Sequence, residues 1–247
     1  MTHSLHSAKL KAKRATELYE ELQNAINNYY EESYPDLLRA PNPENDSEHV
    51  LLAKTPAAIP ENIPLVAGDV IHNMRSALDH AIYEIAGGDG KNMRNIYFPF
   101  GKSLDSFKNN LNNLNKKSSN LSDNVKSFLL ELKPYKGGND VLYTLHELDI
   151  MDKHRMLVIV DVISNQFHGQ FSCDHPIKIS TELLGSLHQG IHIFTIPANA
   201  TFEQNIQLSY ALSFGEIHSI KHQPMIDVLQ QQLETTRDII KEIERLH

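Results

Sequence analysis

A chain of 247 residues with 40% apolar and 22% charged side chains is long enough to bury one sizeable core and has an ordinary soluble balance. Its one cysteine, Cys173, excludes an internal disulfide and any multi-cysteine zinc site, and fits a reducing compartment. The net charge of −8 with neutral histidines argues against general nucleic-acid coating; with no signal-type leader and no run of about 18 apolar residues, the expected location is cytoplasmic with no membrane partner.

Residues 4–34 read as one long amphipathic helix, because Ala15, Leu18, Leu22, Ala25 and Tyr29 recur at spacings of three and four. Pro35 ends it. Residues 36–47 read as a loop with two prolines, and 49–55 as a strand. Pro64 sits in the first turn of a helix over about 63–86 that closes at Gly87-Gly88. Two short polar helices follow, one over about 103–115 and rich in asparagine, the other over 121–132. A helix over 140–154 leads into the β-branched run 157–163, a buried strand. Residues 176–180, 190–196 and 205–214 read as extended; the last alternates, with Ile206, Leu208, Tyr210, Leu212 and Phe214 on one face. Short links between these strands favour antiparallel pairing. Residues 224–246 close the chain as an amphipathic helix. No repeat or linker interrupts it. The expectation is therefore a single α+β domain over 1–247: a bundle-like helical part over about 1–155, an antiparallel sheet after residue 156, and a closing C-terminal helix.

Two helices carry residues with chemical capacity. On helix 63–86 an ideal turn of about 100° per residue places Val66, Val70, Met74, Ala77, Leu78, Ala81 and Ile85 on one arc. The opposite arc holds Asp69, His72, Arg75, Ser76, Asp79, His80 and Tyr83, with no Lys or Gln. The closing helix, by contrast, presents Gln230, Gln231, Glu234, Arg237, Lys241 and Glu242, a face suited to solubility alone. His, Asp, Ser and Arg are the residue types of proton transfer and anion binding. His72, Ser76 and His80 line up at i, i+4, i+8, and Arg75 and Asp79 form an i, i+4 pair. On helix 140–154, Asp152 falls on the apolar stripe of Val141, Leu145 and Leu148, so it needs a partner, for which Arg75 is the candidate. His146, Asp149 and Lys153 share one flank; Tyr143, Glu147 and His154 share another. Lys153, His154 and Arg155 also suit the negative end of the helix dipole. A buried hydrogen-bond network joining the two helices accounts for the same residues without any chemistry.

The stretches GDVIHNMRSALDH and LHELDIMDKHR, with the Phe98–Phe100 element, resemble a family of uncharacterised bacterial proteins, which brings no function with it. Arg75-Ser-Ala-Leu-Asp-His80 also resembles the Arg-x4-His signature of HEPN-type ribonucleases. That resemblance implies a metal-independent endoribonuclease without cofactor, Arg75 and His80 acting on an RNA phosphate, and a homodimer with one shared cleft. Ser76 stands where the family often has Asn, Asp or His. His72, Asp79, Asp152, His146, His154 and Arg155 are then supporting residues. Residues 91–136 carry nine basic groups, Lys91 and Arg94 among them, against three acids, and Lys108, Lys116 and Lys117 are the candidate RNA-binding residues. Two other readings fit. One is a metal-dependent hydrolase in which His72, Asp79 and His80 meet His146, Glu147 or Asp149, although His72 and His80 lie about 12 Å apart along a straight helix. The other is a non-catalytic binding or scaffold module.

Overall fold

The computed structural model describes residues 5–32, 37–53, 58–86, 95–118, 121–157, 159–179, 191–215, 217, 219–221 and 223–247. Pro35, Gly87, Gly88, Lys91, Arg94, Ser180 and Gly190 lie outside them. The fold is α+β, with six helices, α1 (His6–Glu32), α2 (Asn62–Ala86), α3 (Leu104–Lys117), α4 (Asp123–Leu132), α5 (Asp140–His154) and α6 (Met225–Leu246). The strands are β1 (Leu37–Asn42), β2 (Asn45–Ala53), β3 (Ile159–Cys173), β4 (Lys178–Ile179), β5 (Ile191–Pro197) and β6 (Phe202–Phe214). No helix among the described residues is long and apolar enough to cross a membrane.

The chain forms two compact units interleaved in sequence: residues 1–25, 61–158 and 226–247, which are helical, and residues 26–60 and 159–225, which carry the strands. Thus α6 belongs with the helices rather than with the strands that precede it.

In the helical unit α2 is buried on most of its circumference, from Ile63 and Val70 through Met74 and Leu78 to Ile82 and Ile85. Each such side chain withdrawn from water contributes about 1.5–3 kcal/mol. The shorter helices start on side-chain caps: Ser103, Ser122 and Asn139 accept from the backbone N–H of Ser106, Val125 and Leu142. Helix α4 stops at Lys133 in the left-handed conformation, with Pro134 next.

Helices α2 and α5 pack against each other in antiparallel register. Gly68 meets Asp152, and one turn further His72 meets Asp149. A Cβ at position 68 would fall inside contact distance of the Asp152 carboxylate, so the glycine permits this approach.

In the strand unit β1, β2, β5 and β4 make one antiparallel sheet in that spatial order, and β3 pairs with β6 as a two-stranded antiparallel ribbon. The segment expected as a loop over 36–47 instead supplies β1 and a tight turn into β2. Pro41, which argued against a strand, lies in the edge strand of the sheet, where proline is tolerated, and the register shifts beside it. The sheet therefore draws strands from both sides of the helical segment, not only from after residue 156.

Candidate functional site

Helices α2 and α5 build a hydrogen-bonded group around one buried carboxylate. Asp149 is almost fully enclosed, at 2% exposure, and so depends on its partners. Lys153, one turn on in α5, donates from Nζ to its Oδ2 at 2.6 Å. His72 lies with Nδ1 3.1 Å from its Oδ1. An ionised carboxylate only accepts, so His72 Nδ1 carries a proton, and in the neutral ring Nε2 is then the acceptor. Ser76, one turn along α2, places Oγ 3.4 Å from that Nε2. The His72 side chain is about half exposed, so an accessible basic nitrogen is held by a buried acid with an ammonium beside it. This is the orienting logic of a general base. Asp152, at Gly68, has its carboxyl held above the usual carboxylate range by burial and then by the negative charges of Asp69 and Asp149.

One turn along both helices lies a second group. Arg75, 8% exposed, pairs with Asp79 in its own helix. Asp79 Oδ1 also accepts from the backbone N–H of Phe98 at 2.8 Å. The Arg75 guanidinium lies over the Phe100 ring, 4.5 Å from its centroid. The His146 imidazole stacks on the same ring at 4.6 Å and 9°. Burial, and next the Arg75 charge, push the His146 imidazole down to about 4, so it is neutral at pH 7. Arg75 Nε and His146 Nδ1 are buried and have no hydrogen-bond partner among the described residues. These side chains floor a cleft of about 300 Å³ together with Phe98, Pro99 and Leu114; Asn95, Tyr97, Asn110, Asn113 and Lys117 form its rim.

The expected partnership of Arg75 with Asp152 does not form. Asp79 competes successfully because it lies one turn away on the same helix, so its closure orders no distant segment. His80 is also engaged elsewhere. Ser7 Oγ donates to Glu84 at 2.5 Å and accepts from His80 Nδ1 at 3.0 Å, while Glu84 takes the backbone N–H of Ala8 at 3.0 Å. This trio ties α2 to the N-terminal turn of α1 and satisfies one of its open donors. Five residues on a helix separate Arg75 and His80 by about 140° around the axis. The spacing i, i+4, i+8 thus unites His72 and Ser76 but leaves His80 with a different neighbour.

His154 and Arg155 are exposed at the C-terminal end of α5, where Arg155 caps the helix through its N–H to Met151. Lys108, Lys116 and Lys117 are exposed on α3, and of these only Lys117 lines the cleft. Sequence reading passed over Asp149 as the hub, Phe98 and Phe100 as ring and backbone partners of Arg75 and Asp79, and the rim asparagines. The FPF run and the asparagine-rich α3 were the available signals.

Among the described residues no group of three or more His, Cys, Asp or Glu side chains is arranged to hold a metal ion. No protein-family model matches the sequence, and no curated protein or solved structure matches it significantly.

Proposed function

We propose that the chain is a metal-independent endoribonuclease, as the HEPN-type resemblance implies, with the proton-accepting role moved from His80 to His72. The single observation that carries this reading is the half-exposed His72 imidazole, oriented through Nδ1 by buried Asp149, with Lys153 on the same carboxylate. The RNA 2′-hydroxyl gives its proton to His72 Nε2, and the 2′-oxygen attacks the adjacent phosphorus. The 5′-oxygen leaves and takes a proton from solvent. The products are a 2′,3′-cyclic phosphate and a 5′-hydroxyl end. The Lys153 ammonium offsets charge gathering on the phosphate oxygens. A positioned base of this type contributes about 10²–10⁴-fold. Arg75, enclosed by Asp79 and Phe100, shapes the neighbouring cleft floor and does not clamp the phosphate.

The test is cleavage of mixed RNA by folded protein with and without EDTA, beside His72→Ala, Lys153→Ala, Arg75→Ala and His80→Ala. The expected result is EDTA-resistant cleavage, lost in His72→Ala and nearly intact in His80→Ala. Cleavage that survives His72→Ala, or its absence from the folded wild-type protein, overturns the proposal. RNA retained without cleavage is the outcome the binding-module reading requires, and the internal Arg75–Asp79 pair favours that reading second. The resemblance adds a second copy of the chain as partner, which light scattering of the purified protein tests.

A further inference from the structure

The cleft beside His72 and Asp149 has a composition of its own. Its rim is three carboxamides, Asn95, Asn110 and Asn113, with a phenol, Tyr97, and an ammonium, Lys117. Its floor is Phe98, Pro99, Phe100 and Leu114 with Arg75 and His146, and among the described residues no carboxylate lines it. Its volume is at the lower end of the range of small-molecule sites. Asn110, Asn113 and Lys117 follow i, i+3, i+7 and so share one face of α3, flanking the buried Leu114 that lines the same cleft.

This face is costly for a helix. Asn competes with the backbone for hydrogen bonds and is a poor helix former, and α3 holds five of them in fourteen residues. The solvated face of α6 manages with Gln, Glu, Arg and Lys. Tyr97 is 56% exposed at the rim, so a large aromatic surface stays in water. Arg75 Nε and His146 Nδ1, buried within the floor side chains, have no hydrogen-bond partner among the described residues.

Planar carboxamides match the donor and acceptor edges of a heterocyclic base, and an exposed phenol offers a stacking face. Lys117, in a rim with no acid among the described residues, favours an anion. We infer that this cleft is a nucleotide subsite: one unstacked base lies against Tyr97, its edge meets Asn110 and Asn113, and its phosphate meets Lys117. The inference rests on the ribonuclease reading for its substrate class, and it places the base about one helical turn along α2 and α5 from His72 and Asp149. Lys117 has a competing internal partner, the Asn95 carbonyl at 3.4 Å, a long contact that a phosphate displaces readily.

The test separates binding from cleavage. Full-length protein is titrated by calorimetry with 5′-AMP, GMP, CMP and UMP and with inorganic phosphate, beside Tyr97→Ala, Asn113→Ala and Lys117→Ala. All three side chains are exposed, so the variants are expected to fold. At least one nucleotide is expected to bind more tightly than phosphate. Tyr97→Ala is expected to weaken that binding on the order of tenfold, as for loss of one stacked base, and Asn113→Ala is expected to change the order of preference among bases. Phosphate binding as tightly as every nucleotide, or nucleotide binding indifferent to Tyr97→Ala and Asn113→Ala, overturns the subsite. So does the absence of binding by any nucleotide at millimolar concentration. Nucleotide binding that depends on Tyr97 in a protein that cleaves no RNA supports the subsite and overturns only the ribonuclease reading.

Discussion

His146 is expected to make the protein acid-sensitive. Unfolded, its imidazole takes a proton near 6.5; folded, burial and the Arg75 charge delay that to about 4. Between those values the unfolded chain binds the extra proton, so stability falls as pH falls through this window and levels off below about 4. Each pH unit of separation corresponds to about 1.4 kcal/mol, which sets a ceiling near 3 kcal/mol. The side chain is only part-buried, and solvent screening reduces the expected loss to ~1–2 kcal/mol. Asp152 works in the opposite sense: its raised carboxyl binds a proton first in the folded state, so it adds stability on acidification. The measurement is therefore a difference. Urea unfolding of wild type and His146→Gln is followed at pH 7, 6, 5 and 4.5, and Asp152 cancels between them. The gap is expected to narrow by ~1–2 kcal/mol as pH falls. Parallel curves, or a His146 ring resonance that titrates near 6.5 by NMR, refute the reasoning.

Gly68→Ala, which in an open helix stabilises by about 1 kcal/mol, is expected to destabilise here by roughly 1–3 kcal/mol through the Asp152 carboxylate; thermal unfolding of Gly68→Ala/Asp152→Ala should recover most of that. Asp149→Asn is expected to lower RNA cleavage by about 10²-fold or more, because a carboxamide can turn its donating nitrogen to His72 Nδ1 and no longer fixes the tautomer, with initial rates on a fixed RNA as the readout. Arg75→Lys is expected to cost about 2–4 kcal/mol in urea unfolding, since an ammonium cannot both pair with Asp79 and lie flat on Phe100. His80→Ala should leave cleavage within a few-fold and cost about 1 kcal/mol of stability through Ser7.

The elements were legible where a single periodicity governed them. The apolar threes and fours of α1, α2 and α6 placed those helices to within a few residues, and the expected helices over 103–115, 121–132 and 140–154 correspond to α3, α4 and α5. The β1–β2 hairpin was not legible, because Pro41 reads as a breaker unless the strand is known to lie on an edge. In the site, local chemistry carried through: Arg75 and Asp79 pair as an i, i+4 couple, and His72 and Ser76 meet at the same spacing.

By itself, then, the sequence determined the helices, the concentration of titratable groups on α2 and α5, and the pairs joined within one helix. Only tertiary structure decided which groups meet across helices. The antiparallel register of α2 on α5 set His72, and not His80, on Asp149, and put Asp152 against Gly68 rather than Arg75. The Phe98–Phe100 segment brought a ring and a backbone N–H to Arg75 and Asp79. The physical reason is that helical spacing fixes neighbours three and four residues apart, whereas a partner on another element depends on how the apolar faces of both helices interlock.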